Sequence, residues 1–127
     1  MSDMSSKIII IDDDRMVCKA LQYEFEDAGF QADWALDGSE GLKKIEENDF
    51  MVAIVDLLLP DMDGVRVCQE IKKKHPQMQV ILMSGHVNKL AASKKDFLAA
   101  GGYKQVIVKP FKKNELINTA REALHLI

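Results

Sequence analysis

Four short polar segments follow apolar stretches of the chain, and their side chains could together handle a phosphoryl group. Clustered carboxylates repel one another and raise one another's pKa unless a cation compensates. Mg2+ suits such a cluster, because it takes one or two carboxylates together with water or phosphate oxygens. A lysine and a hydroxyl beside the ion suit phosphoryl transfer, whose transition state spreads negative charge over three oxygens. The segments are Asp12-Asp13-Asp14, Asp56, Ser84-Gly85 and Lys109-Pro110.

Each of these residues taken alone also has a purely structural interpretation. An aspartate after a strand often caps the next helix or makes a turn. Asp14 fits a cap for the first helix, and Asp63, which precedes a glycine, fits a turn or a second cap. A single lysine or serine would be a surface charge or a loop hydroxyl. Carboxylates, a hydroxyl and a lysine at one edge of one sheet together indicate a functional site.

Strands and helices that could position these residues alternate along the chain. Continuous or alternating apolar stretches predict strands at 8–11, 30–35, 50–55, 78–83 and 105–108. Helical spacing predicts helices from Val17 to the stop at Gly29, at 41–48, from Asp63-Gly64 to just before Pro76, at 88–100 and at 116–127.

This alternation predicts an α/β fold in which a five-stranded parallel sheet carries helices on both faces. We predict the doubly wound, flavodoxin-like strand order 2-1-3-4-5, although the pattern alone also permits 3-2-1-4-5. Ligands of such sheets bind at the carboxyl ends of the strands, where the strand order reverses. The first and third strands flank that point, so the carboxylates that follow them should face each other.

Composition and charge restrict the class of protein. A chain of 127 residues is the usual size of one domain, and we expect residues 1–6 to be loose and 7–127 to form the domain. The net charge of −3 provides no basic surface for nucleic acid or membrane. Cys18 and Cys68 are expected to be buried and reduced, and no apolar run could span a bilayer, so we expect a cytoplasmic protein.

The motifs together resemble the receiver domain of two-component response regulators. The resemblance extends from about Lys7 to Ile127. Its most specific parts are IIIIDD at 8–13, VDLLLPDMDG at 55–64, MSG at 83–85 and VKPF at 108–111.

The resemblance implies that Asp56 accepts the phosphoryl group and that Mg2+ is the cofactor. Asp13, Asp56 and the backbone carbonyl of Leu58 would bind the ion directly, and Asp12 would bind it mainly through water. The donor would be a phosphohistidine on a sensor histidine kinase or a phosphotransfer protein. The domain would not be a conventional enzyme, because it would catalyse only its own phosphorylation and later hydrolysis.

The remaining catalytic residues implied by the resemblance are Ser84, which would hydrogen-bond the phosphoryl group, and Lys109, which would neutralise its charge. The Lys109-Pro110 peptide is expected to be cis. The signal would pass to a downstream protein or output domain through the fourth helix, fifth strand and fifth helix, without direct binding of nucleic acid or membrane.

One position departs from the family pattern. Relatives usually carry Tyr or Phe three residues before the lysine, where this chain has Val106, and Tyr103 is out of register. We therefore expect switching without a buried aromatic flip.

Two alternative functions explain part of the pattern. Asp12-x-Asp14 resembles the nucleophile motif of haloacid-dehalogenase phosphatases, but that interpretation leaves Asp56 and its motif unexplained. A binding module could also keep the fold without being phosphorylated, because fold does not determine function.

Overall fold

Apolar, largely β-branched segments form the strands of one parallel sheet in this computed structural model, which describes residues 6–112 and 114–125. The strand order is β2-β1-β3-β4-β5, so the predicted order is confirmed and the alternative order is wrong. The strands are β1 (Lys7–Ile11), β2 (Gln31–Ala35), β3 (Val52–Asp56), β4 (Gln79–Ser84) and β5 (Ile107–Val108).

Among the described residues, five helices connect or follow the strands, and the first three begin at an aspartate that caps them. Asp14, Asp37 and Asp63 each accept a hydrogen bond from backbone N–H groups of the helix that follows. The cap roles predicted for Asp14 and Asp63 are thus confirmed. The helices are α1 (Arg15–Asp27), α2 (Gly38–Glu47), α3 (Gly64–Lys74), α4 (Val87–Ala99) and α5 (Glu115–Ala123).

The sheet separates two hydrophobic cores, because successive side chains of a strand point to opposite faces. Ile8 and Ile10 of β1 pack with residues of α1 and α5, whereas Ile9 and Ile11 pack with residues of α2, α3 and α4. All four isoleucines are fully buried. Burying one such side chain contributes about 1.5–3 kcal/mol, so both cores hold β1 in the centre of the molecule.

The strand register determines which polar residues meet at the carboxyl edge. Ile11 pairs with Val55, so the residues that follow them, Asp12 and Asp56, emerge side by side. Asp56 in turn pairs with Met83, and Ser84 pairs with Val108. Lys109 follows Val108, so it lies one residue beyond that last pair.

Most predicted boundaries differ from the structure by one or two residues, and three differences concern α2, β5 and α5. Helix α2 begins at Gly38 rather than 41, because carboxylates from two parts of the chain bind its first N–H groups. Strand β5 has two residues rather than four, since the Tyr103 N–H already bonds to the Val80 carbonyl and only 107 and 108 pair afterwards. Helix α5 ends at Ala123, because His125 has a left-handed φ of 59°.

Several remaining expectations concern the ends and the cysteines. The expected loose segment 1–6 lies outside the described residues except for Ser6, which is buried and accepts a hydrogen bond from Gln31. Residues 126 and 127 of the last predicted helix also lie outside. Cys18 and Cys68 are buried free thiols, as predicted, and burial raises their pKa to about 12 and about 11. In the described part of the chain, no helix has the length and apolarity to cross a membrane.

We predict that Gly64→Ala lowers the free energy of unfolding by about 1–3 kcal/mol, as overpacking typically does. A Cβ at this position would lie 2.7 Å from both the Asp56 carbonyl oxygen and Leu82 Cδ1. Gly85→Ala is the matched control, because its nearest neighbour would be Lys109 Cβ at 3.9 Å, and we expect a change within about 0.5 kcal/mol. Urea denaturation measures both variants, and equal stabilities would contradict the packing argument.

Candidate functional site

Three carboxylates converge at the carboxyl edge of the sheet. Asp12, Asp13 and Asp56 each offer an oxygen within 4.8 Å of the others. Asp12 is fully buried and Asp56 is 8% exposed, whereas Asp13 is exposed. The cluster is therefore anchored in the protein on one side and accessible from solvent on the other.

The two buried carboxylates are held in the same way. Asp12 Oδ1 accepts a hydrogen bond of 2.9 Å from the N–H of Asp14, and Asp56 Oδ1 accepts one of 3.0 Å from the N–H of Leu58. Each is an aspartate that binds the backbone two residues further on, a common turn geometry. The two turns leave the second oxygen of each carboxylate available to a shared partner.

That partner is the ammonium group of Lys109. It donates to Asp12 Oδ2 and, over 2.7 Å, to Asp56 Oδ2. The backbone around it is fixed as well, because the Lys109 N–H donates to the Ser84 carbonyl over 2.9 Å. The following peptide to Pro110 is cis, as predicted. Lys109 thus joins the ends of β1, β3 and β4.

Burial and charge act in opposite directions on these groups. Burial raises the pKa of Asp12 more than its hydrogen bond to Lys109 lowers it. Burial also acts to lower the pKa of Lys109, but hydrogen bonds to Asp12 and Asp56 outweigh it and raise that pKa. Lys109 therefore stays protonated at neutral pH. One ammonium group faces three carboxylates, so the site retains unbalanced negative charge.

This donor set fits Mg2+. The ion prefers oxygen ligands, and it commonly takes few carboxylates and completes its shell with water or phosphate oxygens. Among the described residues, the cluster contains three carboxylates within 4.8 Å, one of which is exposed, and no sulfur or imidazole ligand belongs to it. The chemistry of the residues thus agrees with the cofactor expected from the sequence.

Ser84 ends β4 and Leu58 follows Asp56 by two residues, so both lie at the carboxyl edge of the sheet. Ser84 is fully buried at the end of β4, the strand next to β3. Its Oγ accepts a hydrogen bond of 3.0 Å from the N–H of His86, so its own hydroxyl proton can be donated elsewhere. Leu58 is the second residue of the loop after Asp56 and forms an isolated bridge with Asp63.

The aromatic position and its neighbour lie on different faces of the sheet. Val106 packs against the core that contains α3 and α4, whereas Tyr103 packs against the core that contains α1 and α5. The Tyr103 hydroxyl donates to Glu122 of α5. Tyr103 is therefore a link between the loop before β5 and the last helix.

Sequence reasoning missed the role of Asp61 in this region. Its carboxylate accepts hydrogen bonds from Gly38 and Ser39, which begin α2. The available signal was an aspartate in the 57–63 loop without an assigned role. Its partners lie 23 and 22 residues earlier, so local patterns could not identify them.

Comparisons with known proteins agree with this geometry. The family model of the response regulator receiver domain matches residues 8–121. Among solved structures, the chain is similar to the BeF3-activated DrrB receiver domain, with 27% identity, a TM-score of 0.83, and coverage of 95% of this chain and 98% of that one.

Two other solved structures are similar over nearly their whole length. One is a CheY-like receiver domain protein from Methanospirillum hungatei, with 29% identity, a TM-score of 0.83 and coverage of 96% of this chain and 95% of that one. The other is the response regulator TrrA from Thermotoga maritima in complex with Mg2+ and BeF, with 26% identity, a TM-score of 0.80 and coverage of 93% and 98%.

We predict that Lys109→Met lowers the free energy of unfolding by about 3 kcal/mol without metal, because it leaves two buried carboxylates without their ammonium partner. Lys104→Met is the control, since Lys104 is an exposed residue ahead of the same strand, and we expect a change within about 0.5 kcal/mol. Mg2+ should reduce the difference in the free energy of unfolding between Lys109→Met and Lys104→Met, because the ion restores positive charge at the carboxylates. Urea denaturation with and without Mg2+ measures these differences. Equal stability of the two variants would contradict the role of Lys109 as the charged partner of the buried carboxylates.

Proposed function

We propose the function of this chain on the basis of its family. The chain belongs to the response regulator receiver domain family, and it is a phosphorylation-dependent signalling switch. The observation that carries the proposal is the ammonium group of Lys109 shared between Asp12 and Asp56. It puts a cation beside an accessible acidic cluster, as the transfer of a charged phosphoryl group requires. We assign the receiver domain to residues 7–127.

In this proposal Asp56 is the phosphoacceptor. A carboxylate oxygen of Asp56 attacks the phosphorus of a phosphohistidine, the new O–P bond forms as the N–P bond breaks, and the departing imidazole takes up a proton. Water later attacks the same phosphorus, the bond to Asp56 breaks, and inorganic phosphate leaves. The domain is thus a regulator that catalyses its own phosphorylation and dephosphorylation.

The neighbouring residues neutralise and orient the transferred group. Lys109 moves its ammonium group from the two carboxylates to the phosphoryl oxygens, and Ser84 donates its hydroxyl proton to one of them. Asp13, Asp56 and the Leu58 carbonyl would hold Mg2+ directly, and Asp12 would hold it through water. When bound, Mg2+ supplies the positive charge that offsets the phosphoryl oxygens. The similar TrrA structure, which is a complex with Mg2+ and BeF, supports Mg2+ as the cofactor.

Two observations weigh against the alternative functions. In the phosphatase interpretation Asp14 would take part in chemistry, but its side chain is exposed and caps α1 through the N–H groups of Met16 and Val17. A module that kept only the fold would have no need for the Lys109 contacts to two carboxylates. The cap formed by Asp14 and the contacts made by Lys109 therefore both favour a site that handles phosphate.

The partners follow from the same chemistry. The phosphodonor is a phosphohistidine on a sensor histidine kinase or a phosphotransfer protein, and the protein acts in the cytoplasm. The output passes to a downstream protein or output domain through α4, β5 and α5, without direct binding of nucleic acid or membrane. Ser84 leads into α4 and Lys109 follows β5, so both site residues border this face.

The first prediction of this proposal is that a small-molecule phosphodonor with Mg2+ adds one phosphoryl group, on Asp56. Asp56→Asn should abolish the adduct, which should be alkali-labile in the unmodified protein because it is an acyl phosphate. Asp14→Asn is the matched control, since asparagine also caps helices well and the adduct should persist. Intact-mass spectrometry decides, and an undiminished adduct in Asp56→Asn would exclude this acceptor.

The second prediction concerns the conformational change. A phosphoryl group adds charge and acceptor oxygens, which should draw Ser84 and the loop 85–89 inward and shift α4 and β5. His86 occupies the N-cap of α4 and makes no side-chain capping hydrogen bond with any described residue, so its connection to Ser84 is through its own backbone N–H.

Amide chemical shifts compared between the free and beryllofluoride-bound forms measure this change, because beryllofluoride stands in for the phosphoryl group. We expect the largest shifts from Ser84 through the start of α4 and along β5. Tyr103 should keep its ring environment, since its hydroxyl is bonded to Glu122. Shifts restricted to α1 and α2 would refute this account of the output.

A further inference from the structure

The loop that follows the acceptor strand is fastened to a helix that belongs to a different part of the chain. This loop, residues 57–63, connects β3 to α3 and carries Leu58 at its start. The carboxylate of Asp61, near its tip, accepts a hydrogen bond of 2.9 Å from the N–H of Gly38 through one oxygen. Its other oxygen accepts one of 2.9 Å from the N–H of Ser39. Asp61 therefore joins the loop to the first turn of α2.

The bonds of Asp61 complete the amino end of α2. The first N–H groups of a helix have no partner within the helix. Asp37 binds the N–H of Glu40 over 2.7 Å, and Asp61 binds the two N–H groups before it. These bonds from Gly38 and Ser39 hold the pKa of Asp61 below its usual value. The carboxylate is therefore ionised at neutral pH, and its bonds are charge-assisted.

Packing fastens the same point of the loop. A Cβ on Gly38 would lie 2.6 Å from Met62 Cγ and 2.8 Å from Met62 Sδ, so glycine is what lets this side chain lie against the helix. Hydrogen bonds and close contact thus hold two adjacent loop residues, Asp61 and Met62, against one turn of α2.

The other end of the loop is held at the acidic site. The N–H of Leu58 donates to Asp56, and the N–H of Gly64 donates to the Leu57 carbonyl over 2.7 Å. Leu58 therefore lies between an anchor at the site and an anchor at α2. Asp61 orders the anchor at α2, and it thereby limits the directions in which the Leu58 carbonyl can point.

We propose that Asp61 is a positioning residue for the metal site, acting through the loop that presents the Leu58 carbonyl. The inference rests on the proposed function, in which that carbonyl is a ligand of Mg2+. Without Asp61 the loop samples more conformations, and the apparent affinity falls with the fraction that is competent to bind. We expect Asp61→Ala to weaken Mg2+ binding about tenfold, the lower end of what residues that orient metal ligands contribute.

Asp37→Ala is the matched control, because it removes a carboxylate from the same helix end but from outside the loop. Both variants should lose comparable stability in urea, whereas only Asp61→Ala should weaken Mg2+ binding, as measured by titration of backbone amide shifts. In the metal-free proteins, hydrogen exchange at the amides of Leu58 and Gly64 should accelerate in Asp61→Ala and stay unchanged in Asp37→Ala.

Two further variants separate loop position from helix stability. Asp61→Asn retains one acceptor oxygen, so its Mg2+ affinity should lie between those of the wild type and Asp61→Ala. Gly38→Ala favours the helix but displaces Met62, so it should weaken Mg2+ binding if the loop position matters and leave binding unchanged if helix stability alone matters.

The outcomes distinguish this inference from the function on which it rests. Equal losses of affinity in Asp61→Ala and Asp37→Ala, or no loss in either, would overturn the role of Asp61 while leaving the metal site intact. A wild-type protein that does not bind Mg2+ at Asp12, Asp13 and Asp56 would contradict the proposed function and the metal role of Asp61 together. Unchanged exchange at Leu58 and Gly64 in Asp61→Ala would overturn the positioning argument independently of metal.

Discussion

The ammonium group of Lys109 lies between carboxylates that end two neighbouring strands, and the arrangement of the site depends on this sharing. Asp12 and Asp56 have side chains that are 1% and 11% exposed, and a buried carboxylate is costly without a charged partner. Lys109 supplies that partner for both. One positive charge cannot balance the negative charges of Asp12, Asp13 and Asp56. The contact with Lys109 therefore reduces the cost of burying the carboxylates and still leaves the cluster able to bind a cation.

The rest of the fold serves to bring these groups to one place. Two hydrophobic cores enclose β1 and β3 on both faces, and the parallel register aligns the ends of these strands. Lys109 can reach both carboxylates because its N–H continues the pairing of β5 with β4 through the Ser84 carbonyl. Since apolar residues fill the strands, polar residues accumulate where the strands end. Chemistry is thereby concentrated at the carboxyl edge, as is general for sheets of this type.

The features of this fold that the sequence predicts correctly depend on interactions between residues that are close together in the chain. The caps of α1 and α3 come from Asp14 and Asp63, each next to the helix that it caps, and the strands are visible as apolar runs. The start of α2 was missed although its cap, Asp37, is adjacent to the helix, and its other carboxylate partner, Asp61, lies 23 residues away from Gly38. Strand β5 pairs with β4 only at 107 and 108, although Tyr103 already bonds to Val80. Long-range pairs of this kind leave no local pattern, whereas the joint presence of aspartates, serine and lysine at strand ends does.

The position of the aromatic residue restricts how a signal can leave the site. A ring at Val106 would lie on the side of the sheet that α3 and α4 cover, but the aromatic nearby, Tyr103, packs on the side of α1 and α5 and is bonded to Glu122. Its ring is thus separated by the sheet from the space beside α4, and a small valine leaves that space without a rotating group. The adjustable part on that side is backbone: the segment from Ser84 to α4, whose helix buries only Leu90 and Phe97 among its described residues. These positions support the proposed switch, in which the loop after Ser84 and the start of α4 move and no buried aromatic ring turns.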